Sequence, residues 1–333
     1  MDRTWSRRGA LKAGGFLTGG LLAGGIPSSP ASAAVAVSPS AARRRVLRVA
    51  HLTDAHVQPE KRGREGLIAC LEHVHGLNAG EGGRPDLILA GGDNIMDAFG
   101  QTFERSRMLF DLWAGVLKDH CTIPVEHCVG NHDVWGWRKD KSQTTGLEKG
   151  WGKAWACEVF GLERPYRVFE RAGWRFVVLD STHTRGPDDH GYIARLDDAQ
   201  FEWLSGELAA KPTTPTLVLS HIPILSASAY FDGDNEKDGD WKVPGAWMHI
   251  DARRIKGLFH AHPQVKVCLS GHIHLVDRVD YLGVTYLCNG AVSGAWWDGP
   301  CQEFRGGYAL VDLFDDGTFE HRYVVFPWTG AKE

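Results

Sequence analysis

Val46-Leu47-Arg48-Val49-Ala50-His51-Leu52-Thr53-Asp54-Ala55-His56 opens as an apolar run and closes on a carboxylate and an imidazole two residues apart. Val46 to Leu52 is short, continuous and rich in branched side chains, so it reads as a strand. Glu65 to Leu77 follows with helical spacing, and Asp86 to Ala90 is a second apolar run, ending in Gly91-Gly92-Asp93-Asn94. Phe103 to Leu117 is again helical by spacing, with Phe103, Phe110, Leu112, Trp113 and Leu117 expected on the buried face. Pro124 to Val129 returns to strand and runs into Gly130-Asn131-His132-Asp133. This alternation predicts an α/β layer architecture.

The second half keeps the pattern. Tyr166–Phe169 and Arg175–Leu179 form a strand pair around Ala172-Gly173, and Asp197–Ala210 is a helix that Asp197 caps. Thr216–Leu219 and Val265–Leu269 are strands, leading into Ser220-His221 and Gly271-His272-Ile273-His274. From Val276 to Val325 come short strands with turns at Leu282-Gly283 and Asp315-Asp316-Gly317. The segments 134–160 and 226–250 receive no assignment.

Five fragments therefore carry chemistry, and most follow a predicted strand directly. In open α/β sheets ligands gather beyond the carboxyl ends of strands, so fragments distant in the chain can meet there. They supply Asp54, His56, Asp93, Asn131, His221, His272 and His274, with His132 in reserve. Carboxylate and imidazole suit Zn, Mn and Fe, and no cysteine is among them. Seven ligands exceed the needs of one small ion and fit two ions sharing a carboxylate. Such a pair activates water and holds phosphoryl oxygens. A leaving oxygen then needs a proton from a group that is not a ligand, which His132 can provide. Glycine at each fragment lets backbone approach a ligand closely.

In order, these residues resemble the signature of the calcineurin-like metallophosphoesterases: D-x-H, G-D, G-N-H-D, H and G-H-x-H. The resemblance runs from Asp54 to His274, with 39 residues from Asp54 to Asp93 and 38 from Asp93 to Asn131. It implies a four-layer α/β sandwich of two mixed β-sheets flanked by α-helices. It implies two divalent or mixed-valence metal ions (Mn, Fe or Zn) and hydrolysis of a phosphate ester by a hydroxide bridging them. Carried over residue by residue, it places Asp54, His56 and His274 on one metal, Asp93 between both, and Asn131, His221 and His272 on the other. His132 becomes the proton donor or phosphate contact and Asp133 its orienting partner. Met96 stands where family members with a ferric–tyrosinate centre carry Tyr. Gly92-Asp93-Asn94-Ile95-Met96-Asp97 also departs from the G-D-x-V-D-R-G of protein serine/threonine phosphatases. The remaining likeness is to the group containing class III cyclic-nucleotide phosphodiesterases. A phosphodiester or nucleotide-like substrate is favoured, with a phosphomonoester as the alternative.

Other features read as structure. His51 points away from the D-x-H fragment by alternation. His73 and His75 lie in a helix without a partner motif. Asp232, Asp234, Asp238 and Asp240 lack the spacing of a calcium loop and read as solvated. Trp296 and Trp297, within Asn289–Trp297, read either as a packed turn or as a wall of the substrate pocket. Trp135 and Trp137 lean towards the pocket because they follow His132. The seven cysteines match no metal spacing and mostly read as small buried hydrophobes, which leaves room for one disulfide.

Composition bounds the partners. A formal charge of −4 over 333 residues gives no basic face for a stable nucleic-acid complex, so a small phosphate ester is the expected partner. A metal-bearing binding protein of the same fold without catalysis is the competing class. It predicts missing ligands, and none of the seven is missing. Oligomeric state has no sequence signature here.

Residues 1–33 read as an export leader: Arg3, Arg7, Arg8 and Lys12, an apolar Gly-rich stretch from Ala13 to Ile26, then Ala31-Ser32-Ala33. The stretch is too short and glycine-rich for a membrane span. Ser6-Arg7-Arg8-Gly9-Ala10-Leu11-Lys12 resembles a bacterial twin-arginine signal, with Ala10 in place of a bulkier apolar residue. The mature chain is then expected in the periplasm or outside the cell, with an arm at 34–45 and one phosphoesterase domain at 46–328, strand-rich from about 276. Replacing both arginines (Arg7→Lys with Arg8→Lys) should strand the precursor in the cytoplasm, as cell fractionation would show. Unimpaired export of the double variant would assign the leader to the Sec route.

Overall fold

The computed structural model describes residues 43–186 and 190–328; the leader expected at 1–33 and most of the arm expected at 34–45 lie outside them. The first half comprises β1 (Arg45–Leu52), α1 (Gly63–Gly76), β2 (Leu87–Ala90), α2 (Phe103–His120), β3 (Val125–His127), α3 (Lys139–Ser142) and α4 (Ala154–Phe160). The middle holds β4 (Arg167–Arg171), β5 (Trp174–Val178), β6 (Thr182–Thr184), β7 (Tyr192–Ala194), α5 (Asp198–Ala210) and β8 (Thr216–Leu219). Then come β9 (Glu236–Lys237), β10 (Asp240–Trp241), α6 (Ala252–Ala261), β11 (Val265–Ser270), β12 (Val276–Tyr281), β13 (Val284–Asn289), β14 (Gly307–Phe314) and β15 (Phe319–Val325).

Two mixed sheets result, in the orders β15-β14-β1-β2-β3 and β12-β13-β11-β8-β5-β4. In the first, β1, β2 and β3 run parallel, β14 pairs antiparallel with β1, and β15 antiparallel with β14. In the second, β13, β11, β8 and β5 run parallel, with β12 and β4 antiparallel at the edges. The central parallel strands β1, β2, β5, β8, β11 and β13 are largely apolar, as strands buried on both faces must be, whereas the edge strand β3 is Val125-Glu126-His127 and half-buried.

The period of two decides which layer each side chain enters. Leu47 and Val49 of β1 meet Phe176, Leu217, Leu219, Val267 and Leu269 between the sheets. Ala50 and Leu52, on the opposite face, meet Leu67, Leu71 and Val74 of α1 and Leu109, Phe110 and Trp113 of α2. The second sheet does the same: Val177, Val218 and Cys268 pack against Leu204 and Leu208 of α5 and Ile255 and Phe259 of α6. Helix, sheet, sheet, helix is the four-layer sandwich.

Local chemistry sets the helix starts. Asp197 caps α5, its carboxylate accepting from Gln200 N at 2.7 Å, and Thr102 caps α2 through Arg105 N at 3.3 Å. The buried stripe of α2 is Ser106, Leu109, Phe110, Trp113 and Val116, not the set expected. Phe103 is 45% exposed although Trp135, Trp155 and the Arg107 guanidinium lie against its ring, and Leu112 and Leu117 flank the stripe half-buried. The unassigned segment 134–160 is a tryptophan-rich excursion carrying α3 and α4. Within 226–250, β9 and β10 form a small hairpin with Asp234, Asp238 and Asp240 in solvent. His51 enters the layer between the sheets, where its Nδ1 meets Asn289 Nδ2 at 2.9 Å, and Asn289 Oδ1 accepts from His321 at 2.8 Å. All seven cysteines are free thiols, five of them buried. Among the described residues no helix is long and apolar enough to cross a membrane.

The loop after β13 is clamped to α1. Trp297 is buried, its indole N–H donates to His56 O at 3.0 Å, and its ring occupies the space where Gly63 and Gly66 lack a Cβ. A methyl group on Gly66 would overlap that ring. Gly66→Ala should therefore destabilise the fold by about 2–3 kcal/mol, the upper part of the usual overpacking range. Urea unfolding monitored by circular dichroism would measure it, and an unchanged midpoint would contradict the clamp.

Candidate metal centre

The chemistry-bearing fragments all lie just past carboxyl ends of parallel strands: Asp54 after β1, Asp93 after β2, Asn131 after β3, His221 after β8 and His272 after β11. At this point the backbone leaves ordinary geometry. Asp54, His56, Asp93, His272 and His274 have φ of 55°, 43°, 51°, 72° and 62°. Left-handed backbone in a residue with a Cβ costs on the order of 1–3 kcal/mol and persists only where its surroundings over-determine it. They do so here. Asp54 N donates to Gly92 O at 3.0 Å, and His56 N to Asp93 O at 2.9 Å. His132 N donates to Asp93 Oδ1 at 2.8 Å, and His272 N to Asp54 Oδ2 at 2.9 Å. Gly130 and Gly271 are needed for close approach, because a Cβ at either would collide with the carboxylate of Asp93 or Asp54.

The side chains converge in two groups within 4.8 Å, Asp54–His56–His274 and Asp93–His221–His272. Asp93 Oδ2 lies between them, 3.7 Å from His56 Nε2 and 3.2 Å from His221 Nε2. Asn131 Oδ1 joins the second group, 3.1 Å from His221 Nε2. All seven residues singled out as ligands thus meet in one place.

Whether they suit a cation is decided on the rings' far sides. Nδ1 of His56, His274 and His221 faces the carbonyls of Met96 at 3.4 Å, Gly294 at 2.6 Å and Gly91 at 3.0 Å. A carbonyl only accepts, so each ring keeps a proton on Nδ1, which leaves Nε2 facing inward as the atom a metal would take. His56 and His274 Nε2 then face each other at 3.1 Å, and Asp54 Oδ1 lies 3.3 Å from His274 Nε2. Three donor atoms thus point at one spot, as a metal ion requires. The donors are all O and N, and the outward hydrogen bonds fix ring orientation, so the residues present fit a pair of ions.

The charges agree. Burial draws His56 and His272 each down to about 3, so both are neutral ligands at neutral pH. Burial opposes ionisation of Asp54 and Asp93, yet the surrounding histidines hold both below the usual carboxylate range. In the metal-free chain His221 is raised to about 9, Asp93 outweighing burial, so it holds a proton where a cation would bind.

One expectation fails. Asp133 does not orient His132. Its buried carboxylate accepts from the backbone of Gly130 at 2.9 Å and Asn94 at 3.0 Å, and from Asn94 Nδ2 at 2.9 Å, so both oxygens are spent holding loops together. Asp97 faces His132 instead, Oδ1 lying 3.5 Å from Nδ1. The signal was a carboxylate four residues after Asp93, inside a segment notable in the sequence only for what it lacked. Against burial, Asp93 and then Asp97 push His132 up to about 9. Ser293 also escaped notice; its hydroxyl donates to Asp54 O at 2.8 Å.

The tryptophans divide. Trp135 is core, its N–H on Gln101 O at 3.2 Å. Trp137 packs edge-on against Phe99, which meets Tyr192 at 5.6 Å, and Tyr192 meets His272 at 6.1 Å. Trp296 lies over His274 at 4.7 Å between centroids.

The sequence profile of calcineurin-like phosphoesterases matches residues 47–276, which span every residue of the centre. This chain belongs to that family. A 3′,5′-cyclic-nucleotide phosphodiesterase of Nostoc sp. strain PCC 7120 is 28% identical over 178 residues, 51% of this phosphoesterase and 59% of that protein. An uncharacterised protein of Schizosaccharomyces pombe is 25% identical over 46% of this chain and 38% of its own. The chain thus spans roughly half the length of the curated relatives it matches. Among solved structures, a dimetal phosphatase from Danio rerio shares the fold with a TM-score of 0.57 at 15% identity, over 85% of this chain and 100% of that one. GAP50, the inner-membrane-complex anchor of Plasmodium, shares it with a TM-score of 0.50 at 13% identity, over 86% and 90%.

Because Asp93 serves both groups, Asp93→Ala should cost the phosphoesterase its metal and its activity together. Elemental analysis of purified protein would check this against a wild type carrying roughly two ions per chain. Full wild-type activity after exhaustive chelation would refute the metal centre.

Proposed function

We propose that this phosphoesterase cleaves a phosphate diester and that His132 donates the proton to the departing oxygen. The position of His132 carries the reading. It lies beside the centre, its ring centroid 4.8 Å from that of His56, yet its side chain keeps 29% exposure. It lines a cleft of about 270 Å³ with Asn131, Asp97, Phe99 and Tyr192. Both nearby carboxylates favour its protonated form. An imidazole that is reachable, beside the reacting phosphate and faced by the Asp97 carboxylate is placed as a general acid. The Nostoc relative's phosphodiesterase activity and the missing tyrosinate position support a diester.

Bound at the seven ligands, two divalent or mixed-valence ions such as Mn, Fe or Zn would supply charge for the phosphoryl oxygens and acidify the attacking water. The chain's own groups do the rest. Asp97 Oδ1 lies 3.5 Å from His132 Nδ1, and Nε2 lies 4.0 Å from Asp93 Oδ2 at the centre. Asp93 keeps its carboxylate in place by accepting the His132 backbone N–H. Asp133 takes no part in proton transfer; it ties Gly130 to Asn94, so the loops bearing Asp93 and Asn131 move together.

The geometric rival is His132 as a further ligand, since its side chain also lies within 4.8 Å of His56 and Asp93. The variant His132→Ala separates the two. It should retain its metal while kcat falls roughly 10²–10⁴-fold, the range for a positioned general acid. The deficit should shrink for nitrophenolate leaving groups, which need little protonation, and be greatest for alkoxides. Loss of metal would make His132 a ligand, and equal deficits across leaving groups would reduce it to a phosphate contact.

A further inference from the structure

Trp296 and Trp297 adjoin in sequence and do opposite things. Trp297 is buried, whereas Trp296 keeps 41% of its surface in solvent although its ring lies at the metal centre. Trp296 sits 4.7 Å from His274 and 6.0 Å from His56, tilted by 40° and 58° to their rings. A large aromatic therefore contacts two imidazoles of the centre and still keeps a large part of its surface in solvent.

This orientation is built. Trp296 and Trp297 have φ of 50° and 74°, left-handed values that bulky side chains avoid. Two consecutive residues of this kind reverse the side-chain directions, so burying one indole turns the next outward. The inward partner is fixed by Trp297 N on Ser293 O at 2.8 Å and its indole N–H on His56 O at 3.0 Å. The far side of the turn is closed by Ala295 N on Gly299 O at 2.9 Å and by an ion pair between Lys61 and Asp298. An exposed indole gains nothing from this strain in packing, and strain that surroundings enforce marks a place where geometry is used. The ring is pre-set before any ligand arrives, so stacking on it costs little ordering.

We propose that Trp296 is the stacking platform for a nucleobase, so that the diester hydrolysed is that of a nucleoside; the proposal rests on the phosphodiester reading above. The chemistry selects the ligand class. A planar, electron-poor ring system stacks on indole whatever its edge groups, as nucleic-acid-binding proteins use aromatic side chains. His56 neighbours both the platform and the proton donor, Trp296 at 6.0 Å and His132 at 4.8 Å between ring centroids. A phosphate held by the ions thus has its proton donor and a base platform within one nucleotide's reach. The cleft that His132 lines carries Arg138 and Lys141 alongside Phe99 and Tyr192, cationic groups and no indole.

Adenosine monophosphate and inorganic phosphate, titrated calorimetrically into the metal-loaded protein, provide the test. Trp296→Ala should weaken adenosine monophosphate binding by roughly 5- to 100-fold, the span of stacking losses on truncating an aromatic, and shift phosphate binding by less than about 2-fold. Trp296→Phe should recover most of the difference. In turnover, the preference for thymidine 5′-(p-nitrophenyl phosphate) over methyl p-nitrophenyl phosphate should fall by a similar factor in the alanine variant, since the two share a leaving group. Equal weakening of both ligands, or of neither, would overturn the platform. Wild-type protein that turns over neither diester would instead sink the phosphodiester reading, and the two titrations would still decide the role of Trp296.

Discussion

The centre depends on a backbone that no local preference supports. Five of its seven candidate ligand residues are left-handed, and none is glycine. Each alone would revert to an ordinary conformation, because on the order of 1–3 kcal/mol favours it. What prevents this is mutual: the carbonyls of Gly92 and Asp93 receive the N–H groups of Asp54 and His56, and the Asp54 carboxylate receives that of His272. Each loop is the template for another. The sandwich supplies the frame, since seven parallel strands deliver their carboxyl ends to one edge of the two sheets.

Such a template explains both kinds of glycine in the fragments. Gly92 has φ of 100° and turns the chain. Gly130 and Gly271 have no such φ; they are small because a carboxylate occupies the position of a Cβ. The same rule operates at Gly66, where the claim on the space is an indole. Small residues here measure how closely two backbones approach.

Much of this was legible in the sequence, for physical reasons. Strands buried on both faces announce themselves as apolar runs, and fragments that must stand at strand ends follow those runs, so Asp54, Asp93, His221 and His272 were readable together with their places. The turn at Ala172-Gly173 and the cap at Asp197 rest on local chemistry and were readable too. What was not legible depends on contacts between distant segments. Asp97 displaces Asp133 as the partner of His132 because Asp133 is drawn off by Gly130 and Asn94, a competition no spacing reveals. Trp135 sits four residues from Asn131 yet belongs to the core, and the outward face of Trp296 depends on two backbone angles. Phe103 has the right period and the wrong neighbours.

The 3.1 Å approach of His56 to His274 joins positions 218 residues apart in the chain. A contact that closes so long a loop forms late, because its ordering entropy must be offset by structure already present. No partly folded species in which the two sheets have yet to dock has a site to fill. Ions bound there would stabilise the finished sandwich and leave the barrier to reaching it almost untouched. Their effect would be kinetic and one-sided: the loaded protein would fold no faster than the empty one, and would come apart far more slowly.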